Sequence, residues 1–233
     1  MFKRKKKKSN SMSRKIVAAT NPKSINAEQY RTIRTNINFS MPDQELRTLM
    51  VTSASPSEGK STSASNIAIV FAQEGKKVLL IDADMRKPTA HHTFNLLNTF
   101  GLSNVLTRQL DVKETIQRTE IENLWVLPSG PIPPNPAELL GSKNMELVTS
   151  KLLEEYDLLV FDSPPILSVA DAQIVSNKVD GTVLVINTGK SEKESATKAK
   201  ELLLAAKANI LGVILNNFNI EKNHYYYHYY GTE

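Results

Sequence analysis

The chain has 233 residues, 40% of them hydrophobic and 23% charged, and no cysteine. These values suit one globular domain, or two at most, with a sizeable core, and they exclude a disulfide framework and any thiolate metal or redox centre. The formal charge of +5 is misleading as a sign of nucleic-acid binding: Lys3, Arg4, Lys5, Lys6, Lys7, Lys8, Arg14 and Lys15 all precede residue 16, and without them 21 basic residues face 24 acidic ones, whereas a nucleic-acid-binding domain spreads its excess over a folded face.

Taken in chain order, residues 1–15 hold no acid and too little apolar surface to pack, so residues 1–20 read as a basic flexible tail. No apolar segment follows it, so it is not a secretory signal. The longest apolar runs, such as 67–72, fall far short of the ~18 residues of a membrane span, so the chain is not expected to cross a bilayer alone. A cytoplasmic location fits the absence of cysteine. From residue 21 to 220 a single domain is expected, beginning with a helix at 26–38. Continuous apolar runs at 48–52, 78–81, 124–127, 158–161, 182–186 and 211–215 read as strands covered on both faces. Helical patterns fall between them at 60–74, 102–118, 142–155, 169–177 and 191–207, the last opened by a capping-box spacing of Ser191 and Glu194. The alternation predicts an α/β fold with a doubly wound, mainly parallel sheet of P-loop NTPase type. Residues 221–233 form a second flexible tail, holding Tyr225, Tyr226, Tyr227, Tyr229 and Tyr230 with His224 and His228 among them.

The segment Ala54-Ser-Pro-Ser-Glu-Gly-Lys-Ser61 lies between the first strand and the first long helix and reads as a P-loop, with Ala54 in the place of its first glycine. Such a loop aims backbone N–H groups at one point, where the helix dipole also favours anions. Ser57, Glu58, Gly59, Lys60, Ser61 and Thr62 are the expected nucleotide-binding residues, with Lys60 on the β- and γ-phosphates of ATP and the Ser61 hydroxyl on Mg²⁺. A carboxylate for the metal is expected at a strand end. Asp162 closes the run 158–161, while Asp82 and Asp84 close the run 78–81 two residues apart, and i and i+2 share a side in extended chain. A lone Asp ending a strand is often only a turn former, but three beside a P-loop point to a metal and phosphoryl site.

With these residues in place, the chain resembles the bacterial tyrosine kinases of capsule and exopolysaccharide type, the CpsD/CapB-like autokinases. The resemblance rests on the divergent P-loop at 53–62, the second Walker element Leu-Leu-Ile-Asp-Ala-Asp-Met-Arg-Lys-Pro at 79–88, Phe-Asp-Ser-Pro-Pro at 161–165, the link 130–140, Glu28-x-x-Arg31-x-x-Arg34 and the terminal tyrosines. It implies ATP and Mg²⁺ as cofactors and a catalytic set of Lys60, Asp82, Asp84 and Arg86. Ser61, Asp82, Asp84 and Asp162 would lie around the metal, and Asn216 near the adenine. The five tail tyrosines would be autophosphorylated in trans within a ring-like homo-oligomer built on Glu28, Arg31 and Arg34. The implied partners are a separate transmembrane activator that holds the kinase at the inner face of the membrane, a cognate phosphotyrosine phosphatase, and protein substrates of polysaccharide synthesis.

Two other classes share these features. Partition and division-site ATPases have the same fold but usually carry a signature lysine where Ser55 stands here, and their tails are not tyrosine-rich. A non-catalytic, nucleotide-gated scaffold would also hold a P-loop. The tail itself has only two histidines, four residues apart, which is a poor start for a tight metal site.

Overall fold

A computed structural model describes residues 16–42 and 44–218. The elements follow one another as α1 (Val17–Thr20), α2 (Ile25–Phe39), β1 (Thr48–Ser53), α3 (Lys60–Ala72), β2 (Val78–Asp82), α4 (Ala90–Phe94), α5 (Leu102–Leu106), α6 (Val112–Thr115) and β3 (Gln117–Arg118). They continue with β4 (Leu124–Leu127), α7 (Pro136–Gly141), α8 (Lys143–Leu153), β5 (Leu158–Asp162), α9 (Asp171–Ser176), β6 (Gly181–Asn187), α10 (Lys193–Ala205) and β7 (Ile210–Asn216). The strands form one sheet in the order β3-β4-β2-β5-β1-β6-β7. Every pairing is parallel except that of β3 with β4.

The apolar runs expected to be strands are strands, and their alternate residues feed two cores. Leu49, Val51, Leu80 and Val160 face one layer, whereas Met50, Leu79, Ile81 and Phe161 face the other. The first layer is built on α3, which is buried nearly all round because α1 and α2 cover the face turned from the sheet. Its run Ile67-Ala-Ile-Val-Phe-Ala72 therefore has no polar side. Residues from α5 through α10, among them Leu140, Met145, Leu152, Val175 and Leu203, fill the second core.

Three expectations are corrected. The helix predicted at 102–118 is two short helices and a strand. Its apolar spacing suits a helix, but Arg108 turns left-handed (φ 60°) and the Asp111 carboxylate caps a new start by accepting from the Lys113 N–H at 2.9 Å. Gln117–Arg118 then pairs antiparallel on the edge. The boundary drawn at residue 20 falls inside packed structure: Ala18 is fully buried, and its N–H donates to Asn66 Oδ1 at 2.9 Å. Ser191 is not the cap of α10, which begins after Glu192, because its hydroxyl is engaged elsewhere.

Candidate active site

In an open parallel sheet, ligands collect beyond the C-terminal ends of the strands where the winding reverses, here around β1, flanked by β5 and β6. The loop 54–59 leaves β1 at that edge and ends at the N-terminus of α3. Its positive-φ residues are Ser57 (65°) and Gly59 (99°), so the left-handed turn a glycine would take at 57 is taken by serine. Ala54 is fully buried and needs no such freedom. Gly59 is required twice, by its φ and because a Cβ there would meet Asn216 Nδ2 at 2.1 Å. The loop after β5 is zipped to β1: the Ser163 N–H donates to the Val51 carbonyl at 3.2 Å, and the Ile166 N–H to that of Ser53 at 2.9 Å.

Lys60 is 9% exposed. Its Nζ lies 2.9 Å from Asp84 Oδ2, 3.3 Å from Asp162 Oδ1 and 3.2 Å from Ser61 Oγ. Asp82 and Asp162 are register partners on β2 and β5, and the Ala83 N–H donates to the Asp162 carbonyl at 2.9 Å. The structure thus brings Lys60, Ser61, Asp82, Asp84 and Asp162 together. Three buried carboxylates face one ammonium. Burial alone would lower the Lys60 pKa, but Asp162 and then Asp84 outweigh it and the pKa is raised. Burial raises Asp162 despite Lys60. Asp82, enclosed and beside Asp162, is pushed up to about 7, although the N–H groups of Ala90 and Thr89 each donate to its Oδ2 at 2.9 Å. Its Oδ1 is buried without a partner.

Among the described residues no ready-made cluster of three or more His, Cys, Asp or Glu ligands is present. That is compatible with Mg²⁺, which binds through one or two carboxylates plus substrate phosphates rather than an all-protein cage. The hard oxygens of Ser61 and Asp162, with the orphaned Asp82 Oδ1 beside them, fit that role.

The remaining expected residues divide. The Asn216 side chain does not stand free: its Nδ2 donates to the Glu58 carbonyl at 2.9 Å. Both carboxylate oxygens of Glu58 are held within the protein, by the Ser55 N–H at 3.0 Å and by the Ser191 hydroxyl. Ser57 forms the left-handed turn of the loop and Thr62 lies in the first turn of α3. Arg86 feels the lysine cluster only through the charge of Asp84. Its guanidinium forks onto Asp171, with Nε and Nη2 at 2.9 and 3.0 Å from the two carboxylate oxygens, and that bond above all raises its pKa. Asp171 is fully buried at the start of α9 and was missed in the sequence, where it resembles any acid in a first helical turn. Arg86→Ala is therefore expected to strand a buried carboxylate. The cost, about 1–2 kcal/mol, is smaller than for an enclosed pair because the guanidinium is 41% exposed. Urea unfolding would show it as a lower midpoint, and Arg86→Ala/Asp171→Asn should recover most of the loss.

On α2, Arg31 pairs with Glu28 at 2.6 Å and donates to the Pro22 carbonyl, while Arg34 turns inward to the Val70 carbonyl at 2.8 Å. Arg34 Nε is buried without a hydrogen-bond partner, 3.6 Å from Glu74 Oε2, and Glu28 is 68% exposed. Tyr225, Tyr226, Tyr227, Tyr229 and Tyr230 lie outside the described residues.

The chain is similar to several known proteins. The AAA domain family (AAA_31) matches residues 46–190. Tyrosine-protein kinase YwqD of Bacillus subtilis is 54% identical over 228 residues, covering 98% of this chain and 96% of the relative. The crystal structure of the chimerical protein CapA2B2 superposes with a TM-score of 0.85 at 43% identity, over 88% of this chain and 90% of that one. The kinase domain of the Escherichia coli tyrosine kinase ETK gives 0.83 at 36% identity, over 86% and 79% of the two chains.

Proposed function

This chain belongs to the bacterial tyrosine-protein kinases and is an ATP-using protein-tyrosine kinase; we propose that its first acceptor is its own tyrosine tail, phosphorylated in trans. The observation that carries the site assignment is the P-loop lysine gripped between Asp84 and Asp162 at the ends of β2 and β5. ATP would supply the γ-phosphoryl group, and a bound Mg²⁺ would neutralise charge on its oxygens. The backbone of 57–62 cradles the phosphates and Lys60 exchanges its carboxylate partners for their oxygens. Ser61 and Asp162 would hold the metal, and Asp84 completes the shell around Lys60.

Asp82 orients the incoming tyrosine hydroxyl and takes its proton late. An ordinary carboxylate of pKa ~4 is a poor base for a phenol of pKa ~10. A carboxyl pushed up to about 7 narrows that gap, and a loose phosphoryl-transfer transition state asks for positioning more than for early deprotonation. Arg86 acts at one remove, pinning the turn after β2 to α9 through Asp171.

Around this chemistry we place a ring-like homo-oligomer using Glu28, Arg31 and Arg34, with one subunit's tail in its neighbour's site. A head-to-tail contact of this kind must close or propagate. On the family resemblance we assign membrane attachment and activation to a separate transmembrane protein; among the described residues no helix is long and apolar enough to cross a membrane. Control of exopolysaccharide synthesis, and reversal by a phosphatase, follow from that reading.

The test is to incubate the purified chain with Mg·ATP and the activator's cytoplasmic segment and map the modified residues. Phosphotyrosine confined to 225–230, and lost when those five tyrosines become phenylalanine, is the expected result. ATP hydrolysis without phosphotyrosine would reject it in favour of a partition-type ATPase. Mixing inactive full-length chain with active tail-deleted chain should label the inactive one. Label appearing only in cis would overturn the trans step.

A further inference from the structure

Glu58 sits inside the P-loop, yet its side chain is 3% exposed. A carboxylate beside a phosphate cradle would repel the very anion the loop is shaped to hold, unless it is turned away and neutralised by hydrogen bonds. That is how it stands. One oxygen accepts the Ser55 N–H at 3.0 Å, across the tightest part of the loop, and the other accepts the hydroxyl of Ser191. Ser191 is itself fixed, its Oγ accepting from the Asn187 N–H at 3.0 Å and its own N–H donating to the Asn187 carbonyl at 2.9 Å.

Asn187 ends β6 and is the register partner of Asn216, which ends β7. The Asn216 carbonyl accepts from the N–H of Thr188 at 2.9 Å and from its hydroxyl at 3.1 Å, while its amide donates to the Glu58 carbonyl at 2.9 Å. A closed circuit results, running Glu58, Ser191, Asn187, Asn216 and back to Glu58. It spans the P-loop and the ends of two strands.

We infer that Glu58 is a positioning residue rather than a nucleotide contact, and that the hydroxyl of Ser191 in the β6–α10 loop sets the shape of the phosphate cradle through it. The loop has reason to need such a brace. Ser57 occupies a left-handed conformation that disfavours a side chain by roughly 1 kcal/mol, so the backbone would relax if nothing held it. The Glu58–Ser55 bond spans Ser57, and the Ser191 bond keeps Glu58 from swinging out. Any shift of the β6–α10 loop is thereby felt at the phosphates.

The inference rests on ATP binding at the P-loop, and its test separates the two. Affinity for a fluorescent Mg·ADP analogue and the kcat and KM of tail phosphorylation are measured for the full chain and for Glu58→Ala, Glu58→Gln, Ser191→Ala, Ser191→Glu and Glu58→Ala/Ser191→Ala. Wild-type chain that binds no Mg·ADP would refute the nucleotide reading itself. With binding established, Glu58→Ala should weaken it about tenfold and Ser191→Ala about threefold, the Ser191 variant with kcat at saturating ATP little changed. The double variant should be no worse than Glu58→Ala, since both remove one link. Glu58→Gln, which can still accept from Ser55, should fall near Ser191→Ala. Ser191→Glu, which sets a carboxylate against Glu58, should bind more weakly than Ser191→Ala. Additive losses, unchanged affinity, or a loss in kcat alone would overturn the inference. Should Glu58→Ala not fold, the two Ser191 variants decide the matter, and equal affinities for them would reject it.

Discussion

Replacing Lys60 by methionine is expected to leave no phosphotyrosine on the tail and to lower the stability of the nucleotide-free chain by about 3 kcal/mol near neutral pH. The first effect follows from the loss of the charge we assign to the phosphates. The second follows from the company Lys60 keeps. Its ammonium lies within 3.3 Å of both Asp84 and Asp162, and it is the cation of a site that also encloses Asp82. Methionine fills the volume but leaves those carboxylates unpaired in a site closed to water. They cannot swing out: Asp82 is held by two backbone N–H groups and Asp162 lies 1% exposed at the end of a central strand. The remaining response of Asp82 and Asp162 is to take up protons, so the deficit should shrink as the pH is lowered. Urea unfolding at pH 7.5 and 5.5 measures this as a midpoint difference between wild type and variant that narrows at the lower pH, with the slope unchanged. An unaltered midpoint would mean that Lys60 is not the counter-charge, and persistent tail phosphorylation would mean that the P-loop lysine lies elsewhere.

Sheet and P-loop were legible because both are written in short runs. A strand buried on both faces is continuously apolar whatever its neighbours, and Gly59-Lys60-Ser61 between a strand and a helix leaves few alternatives. The acids at 82, 84 and 162 could be gathered because strand ends in a parallel sheet share one edge. What escaped is non-local. Leu102, Val105, Leu106, Val112 and Ile116 keep enough helical spacing to disguise the break at Arg108, where a left-handed backbone, invisible in apolar periodicity, splits the segment. Ser191 obeyed a local capping rule on paper, but its hydroxyl is drawn 133 residues back along the chain to Glu58. Arg86 was expected in the catalytic set on the resemblance alone; its partner Asp171 lies 85 residues on, and no spacing links them. Local signals gave the scaffold and the charged centre, whereas the links that brace the centre depend on which loops the fold lays side by side.

Asp82→Asn should abolish tail phosphorylation as fully as the lysine variant, yet move stability the other way. In the nucleotide-free chain Asp82 is a fully buried carboxylate beside Asp162, with its pKa pushed up to about 7 by burial first and by Asp162 second. A carboxyl whose pKa is higher folded than unfolded binds its proton more tightly in the native state. Its contribution is thus fully present below the ordinary value of 3.8 and is lost as the pH rises through about 7. Above that, the ionised form weakens the fold by on the order of 4 kcal/mol at most, from three units of displacement at ~1.4 kcal/mol each. Asparagine removes the charge while its carbonyl oxygen still accepts from Thr89 and Ala90. The variant should therefore be more stable than wild type at pH 8, the two should converge towards pH 5, and the fall in wild-type stability between those values should largely vanish. Thermal melts across that range, run alongside phosphotyrosine detection, measure both effects. A variant less stable than wild type at pH 8 would show that Asp82 is held in place by attraction rather than against repulsion. The expected opposition has a physical origin: the charge we assign to orienting the tyrosine hydroxyl is one the nucleotide-free chain holds at a cost, and removing it trades activity for stability.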